Sequence, residues 1–300
     1  MKTTFQPICP SREEGSNCMS VLSELVKIRL TFLVLLTTLV GYYLGTTGKI
    51  NIFLLFHALF GTCLLASGAS VLNQLLEKDL DARMPRTQSR PLPTGQISPR
   101  SALILGISIS CLGILWLALF ANLLTAGLGL ITLVSYLFIY TPLKKITHLN
   151  TVIGAIPGAL PPLMGWTAAT GSVDIHGWSL FMILFFWQLP HFMAIAWLYR
   201  EDYGKAGFVM LPNVDPNGQR TGRSAVVYAM GLLPISLFPS LLGLTGIIYF
   251  LGALCLGLLF IKYAIQFKME LNSIRAKKLF WASILYLPLL LILMVLDKVK

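Results

Sequence analysis

Between Asn73 and Pro91 the chain reads NQLLEKDLDARMPRTQSRP, directly after a long apolar run. The side chains there that can do chemistry are Asn73, Glu77, Asp79, Asp81, Arg83, Arg86 and Arg90. Carboxylates and an amide offer hard oxygen ligands, of the kind Mg2+ takes together with phosphate oxygens. Guanidinium groups recognise phosphate through paired N–H donors. Acids and bases crowded at the mouth of a membrane helix are costly to maintain, so they call for a use. The combination points to a metal–diphosphate site.

Spacing sorts these residues. On a helix turning about 100° per residue and continuing through Asp81, Asn73, Glu77 and Asp81 fall within roughly 80° of one another. They form the candidate catalytic and metal-ligating stripe. Asp79 lies about 200° from Glu77 and reads as a surface acid or as one that supports the ligands from outside. The competing reading is a solvated helix end with Glu77–Arg83 and Asp79–Arg83 ion pairs. Arg86 and Arg90 are candidates for the diphosphate. Pro91, Pro93 and Gly95 make the following loop rich in turns.

A second constellation closes a later apolar run, FFWQLPHFMAIAWLYREDYGKAG. On one continuous helix Gln188, His191, Tyr199 and Asp202 share a stripe about 80° wide, interrupted by Ile195. Such a stripe turns to the bundle interior or a cavity. His191 reads either as a buried, hydrogen-bonded structural residue or as a substrate contact. Pro190 is expected to kink the helix. Trp187, Trp197, Phe192 and Tyr203 read first as packing or interface aromatics. Between the two constellations, Lys144 and Lys145 precede Asn150, Gly154, Gly158, Pro161 and Pro162. The latter set predicts a small-residue helix broken at the prolines, open to close approach by a neighbour.

The elements that must position these residues are membrane helices. Of 300 residues 56% are hydrophobic and only 12% charged, against roughly 25% charged in soluble domains. Runs long enough to span predict an all-α bundle of about nine transmembrane helices, over 26–46, 52–76, 100–120, 123–141, 149–170, 177–199, 224–242, 244–266 and 278–296. With the N-terminus inside, every Lys and Arg except Lys49, Lys298 and Lys300 falls on the cytoplasmic side. That asymmetry accounts for the net charge of +11 without invoking nucleic acid. It also places Arg83, Arg86, Arg90, Lys144, Lys145, Arg200 and Lys205 on one face. A polar N-terminal tail is expected over 1–22, with no apolar core of a signal peptide. One transmembrane domain follows over 23–300, with cytoplasmic loops 77–99 and 200–223. The cysteines are scattered, without CxxC spacing, and read as structural.

The ordered set of motifs resembles the intramembrane prenyltransferase (UbiA) superfamily. The stripe Asn73, Glu77 and Asp81 closes one helix, and a second acid-bearing loop runs Tyr199-Arg200-Glu201-Asp202-Tyr203. Further motifs are similar to the branch that farnesylates haem. They are Met84 with Arg86-Thr87 and Arg90-Pro91-Leu92, Tyr140-Thr141-Pro142-Leu143-Lys144-Lys145 with Thr147, and Asn150 with Val152-Ile153-Gly154. The rest are Pro161-Pro162 with Gly165-Trp166, Trp187-Gln188 with Pro190-His191-Phe192, and Asp202-Tyr203 with Ala206-Gly207 and Met210-Leu211-Pro212. The resemblance spans roughly 25–295. Glu77 departs from the Asp common in the superfamily and keeps the oxygen ligand.

What the resemblance implies is a UbiA-type fold in a bacterial plasma membrane, with the active-site loops cytoplasmic. It implies farnesyl diphosphate bound with Mg2+, ionised to an allylic cation that is attacked by the 2-vinyl group of haem B, with water completing haem O. Haem B is then a substrate, and Mg2+ is the cofactor. Asn73, Glu77, Asp81 and Asp202 would hold Mg2+. Arg86, Arg90, Lys144, Lys145, Arg200 and Tyr199 would face the diphosphate. His191, Gln188 and Trp187 would be haem contacts. Haem A synthase or terminal-oxidase assembly would be the partners that take the product. The competing readings are prenylation of a quinone precursor, transport of an anionic lipid-like solute, and a structural assembly factor.

Overall fold

The computed structural model describes residues 18–299. The tail expected over 1–22 lies outside the described residues as far as residue 17. From Cys18 the chain is helical. The elements are α1 (Cys18–Leu25), α2 (Ile28–Gly45), α3 (Ile52–Asp81), α4 (Pro99–Phe120) and α5 (Leu123–Leu143). They continue as α6 (Asn150–Thr170), α7 (Ile175–Leu198), α8 (Arg200–Ala206), α9 (Gln219–Leu241), α10 (Ile247–Met269) and α11 (Ser273–Leu296). All but α1 and α8 are long and apolar enough to span, which makes nine among the described residues. Phe32, Phe53, Leu119, Phe138 and Leu285 point outward and are exposed. Such an apolar surface suits lipid and would be a liability in water. The chain is a multi-pass integral membrane protein.

In hydrocarbon every backbone polar group needs a partner within the protein. The helix starts meet this locally. Asn51, Ser98, Asn122, Asp174 and Asn272 each accept a backbone N–H at the head of α3, α4, α5, α7 and α11. The 30 residues of α3 extend about 45 Å, well beyond a hydrocarbon core of about 30 Å. Its last turns therefore carry Glu77 and Asp81 out to the mouth of the bundle. Hydropathy marks the end of the apolar layer at residue 76, whereas the helix continues to Asp81. The same distinction moves the start of α9 from 224 to Gln219 and of α11 from 278 to Ser273.

Two expectations are corrected. The proline-rich helix is not broken: α6 runs unbroken through Pro157, Pro161 and Pro162. It is held against α2 at close range. A Cβ on Gly41 would strike the Pro162 carbonyl, and one on Gly165 would strike the Thr38 carbonyl. Conversely, α7 stays helical through Pro190 but stops at Tyr199, where φ is −110° and ψ 22°. The chain resumes as α8, so Gln188 and Asp202 are not on one helix.

Candidate active site

On α3, Asn73, Glu77 and Asp81 line one buried stripe, as periodicity requires. Asp79 is exposed and apart from them. Arg83 is exposed and pairs with neither Glu77 nor Asp79 among the described residues. Each member of the stripe meets a cation from a different part of the chain. Lys27 Nζ donates to Asn73 Oδ1 at 3.0 Å. Lys144 Nζ donates to Glu77 Oε1 at 2.6 Å. Arg90 Nη1 donates to Asp81 Oδ2 at 2.6 Å. Three cations against two carboxylates leave this inner set net positive, which suits an anion.

Local structure delivers each cation. Val21 and Leu25 of α1 pack on Val71, Leu92 and Ile97, so α1 lies against the loop after α3. Gln74 Nε2 donates to the Leu25 carbonyl at 2.7 Å and holds the end of α1. Lys27 then adopts φ 49° and ψ 57°, the only positive φ outside glycine among the described residues. The strained turn swings its side chain inward, an arrangement typical of functional sites. Lys27 was not singled out by sequence, because a lysine before a span is what the positive-inside rule provides anyway. Burial lowers its pKa to about 8, with Arg90 and Lys144 acting in the same direction.

Lys144 arrives through a π-helical turn, Ser135–Tyr140, at the end of α5. Such turns often mark functional sites. Pro142, which has no N–H, follows after Thr141. Thr141 Oγ1 donates to the Tyr136 carbonyl at 2.9 Å and accepts from Asn73 Nδ2 at 3.2 Å. The Lys144 ammonium sits 4.5 Å from the centre of the Tyr140 ring. Burial opposes its charge, yet Tyr140 and Glu77 outweigh burial and hold its pKa above the usual lysine range.

The two loops meet above the stripe. Leu80 and Met84 pack with Ala196, Ala206, Phe208 and Met210. Over this apolar floor the Arg86 guanidinium lies 5.0 Å from the Tyr199 ring and 5.9 Å from the Tyr203 ring. Val209 is pinned by its N–H to the Lys144 carbonyl at 2.7 Å and by its carbonyl to Asn150 Nδ2 at 2.8 Å. Lys145 is exposed beside Lys144. Arg200 turns aside: its Nη1 donates to the Trp197 carbonyl and its guanidinium covers the Trp197 ring. Asp202 does not join Glu77 and Asp81, since no three His, Cys, Asp or Glu groups converge among the described residues.

The second constellation divides. Gln188 Nε2 donates to the carbonyls of Ala155 and Leu184, joining α6 to α7. Trp187 and His191 face α11. Trp187 Nε1 donates to the Ser283 carbonyl at 2.8 Å, and His191 Nδ1 lies 2.7 Å from Ser283 Oγ. A separation of about 60° around a helix is enough to send Gln188 and His191 to different neighbours.

As a site for Mg2+, the stripe has the right chemistry: two carboxylates and an amide, all oxygen donors, buried and facing one way. Fold and site together are those of an intramembrane prenyltransferase, and the UbiA prenyltransferase family matches residues 34–287. The chain belongs to that family. It is 46% identical to the protoheme IX farnesyltransferase of Solibacter usitatus (strain Ellin6076), over 92% of this chain and 97% of the relative. A structure of digeranylgeranylglyceryl phosphate synthase superposes with a TM-score of 0.80 at 19% identity, over 93% of this chain and 98% of the other. A UbiA homologue from Archaeoglobus fulgidus, solved with GPP and Mg2+ bound, superposes at 0.63 and 18% identity, over 91% and 99%.

Proposed function

We propose that the protein transfers the farnesyl group of farnesyl diphosphate to the 2-vinyl group of haem B. Water is added, diphosphate is released and haem O is formed. The observation that carries the reading is the stripe on α3 with its three cation partners, Lys27–Asn73, Lys144–Glu77 and Arg90–Asp81. A site that neutralises its own carboxylates with lysine and arginine is ready to exchange partners. With substrate bound, Lys27, Lys144 and Arg90 would turn to the diphosphate oxygens, and Glu77, Asp81 and Asn73 would hold Mg2+. The bound Mg2+ would stabilise charge on the leaving oxygen.

The chain's own residues do the rest. Lys27, Arg90 and Lys144 receive the diphosphate charge as it develops. Arg86, on the aromatic roof of Tyr199 and Tyr203, and Lys145, beside Lys144, extend the same positive lip. Arg200, folded onto Trp197, and Asp202 belong to its rim. The apolar interior of the bundle keeps water from the allylic cation until the vinyl carbon has attacked. Lys27, Arg83, Arg86, Arg90, Lys144, Lys145, Arg200 and Lys205 gather at the site end, against Lys49 and Lys298 at the other. That asymmetry supports a site on the cytoplasmic face of a bacterial plasma membrane, and haem A synthase or oxidase assembly would take up the haem O.

Purified protein given haem B, farnesyl diphosphate and Mg2+ should yield a more apolar haem on reversed-phase chromatography, with an equal amount of diphosphate. Unchanged haem alongside a working control enzyme rejects the reading.

A further inference from the structure

Asn73 is the neutral member of the α3 stripe, and the two ends of its amide do opposite chemistry. Oδ1 can hold a cation, whereas Nδ2 carries two hydrogens and repels one. The two ends are alike in size, and the last torsion of the side chain allows either to face the site. Glu77 and Asp81 have no such ambiguity, because a carboxylate presents oxygen at both ends. The neighbours of Asn73 decide its orientation by donor and acceptor count. Thr141 Oγ1 lies 2.9 Å from the Tyr136 carbonyl oxygen and 3.2 Å from Asn73 Nδ2. A hydroxyl has one hydrogen, and a carbonyl oxygen can only accept. The Thr141 hydrogen therefore goes to Tyr136, and its oxygen has only lone pairs to offer Asn73. A flipped amide would set two oxygens face to face with no hydrogen between them. At the other end Lys27 Nζ lies 3.0 Å from Oδ1, and an ammonium can only donate. Both partners demand the same orientation. Asn73 and Thr141 are buried, so a mismatched contact would go uncompensated.

The π-helical turn of α5 is what sets the hydroxyl. In an α-helix a threonine hydroxyl bonds the carbonyl three or four residues back. Here it reaches five residues back, and the Thr141 N–H goes to the same Tyr136 carbonyl. Thr141 is thus held by backbone and side chain together, with its lone pairs aimed across at α3. The two contacts that orient Asn73 also differ in permanence. Lys27 would leave Oδ1 when it turns to a diphosphate oxygen. Thr141 grips the other end of the amide and takes no part in that exchange.

We propose that Thr141 is a positioning residue that keeps Asn73 Oδ1 turned toward the site, so that the amide stays preset as a Mg2+ ligand after Lys27 has turned away. The inference rests on the metal–diphosphate part of the reading above and is independent of which acceptor takes the prenyl group. Hydrogen bonds that orient a ligand from outside are worth about 10-fold or more in metal affinity.

The test is titration of the full-length purified protein with Mn2+ and inorganic pyrophosphate, without haem or prenyl donor, read by the EPR spectrum of the bound metal. Thr141→Val keeps the shape and loses the hydroxyl, and should bind the metal about 10-fold more weakly. Thr141→Ser keeps the hydroxyl and should bind as wild type. In an Asn73→Asp background neither oxygen can be turned the wrong way, so adding Thr141→Val should cause no further weakening. That comparison separates orientation of the amide from general damage to the turn. Wild-type affinity in Thr141→Val overturns the proposal. An equal loss in Thr141→Ser, or the same fold-loss in the Asn73→Asp background, overturns it as well. If Thr141→Val does not fold, Thr141→Ala in the two backgrounds decides in the same way. A wild type that holds no Mn2+ with pyrophosphate rejects the metal–diphosphate reading and this role with it. A wild type that holds the metal but makes no haem O leaves the role of Thr141 standing and rejects the acceptor alone.

Discussion

The Lys144 ammonium lies 2.6 Å from Glu77 Oε1, although the two residues are 67 positions apart in the chain. The contact joins the end of α5 to the last turns of α3, and both partners are largely buried. Removing one partner of a buried pair leaves the other charge uncompensated. Glu77→Gln should therefore reduce stability by about 3 kcal/mol, and turnover by about 100-fold or more. Adding Lys144→Met to Glu77→Gln should restore thermal stability in detergent but not diphosphate release. A double variant as unstable as the single one would show that the pair is not what holds this corner.

Asp81 accepts from Arg90 and forms no other ion pair among the described residues. Asp81→Asn keeps shape and one oxygen acceptor, but loses the charge a divalent cation needs. The variant should insert in the membrane at wild-type levels and release no diphosphate. Normal turnover would refute a metal role for Asp81.

Lys27 should contribute to substrate capture. Lys27→Gln removes a charge-assisted contact and should raise the KM for farnesyl diphosphate about 10-fold or more. Its pKa, lowered to about 8, also gives a pH dependence with a definite sign. The folded protein binds this proton less tightly than the unfolded chain, so the charge costs stability below about pH 8, and that cost disappears as pH rises toward the ordinary lysine value. Capture of an anion needs the charge, so kcat/KM should fall as pH rises through about 8, before exposed lysines titrate. Lys27→Arg should flatten that limb of the profile. An identical limb in Lys27→Arg would assign it to another group.

A Cβ on Gly165 would run into the Thr38 carbonyl and the Tyr42 nitrogen across the α2–α6 crossing. Gly165→Ala would force the two helices apart and should cost about 2 kcal/mol, read as a lower unfolding temperature in detergent. A variant that unfolds at the wild-type temperature would mean that the crossing has slack.

Chelation of Mg2+ should stop diphosphate release, and added Mg2+ should restore it. Diphosphate release that continues under chelation would refute a metal-dependent site.

The α3 stripe is visible in the chain because its spacing repeats with the helix and its surroundings are apolar. The setting-aside of Asp79 follows from the same geometry. The nine apolar runs and the mouth at which the basic residues gather are equally readable, because membrane thickness and charge asymmetry act on composition. The roles of Lys27 and Thr141 were hidden. Their contacts with Asn73 span 46 and 68 positions, and neither a left-handed lysine nor a π-helical turn leaves a periodic trace. The second constellation was grouped too broadly. The chain leaves the helix at Tyr199, and neighbouring helices on different sides claim Gln188 and His191.

Which groups can bind a metal–diphosphate is thus a local property, written in residue type and in the 100° step of a helix. Which cation faces which carboxylate, and which end of the Asn73 amide faces the site, are long-range properties. They depend on which helices pack together, because a buried charge or hydrogen takes its partner from whatever surface the fold brings within about 3 Å.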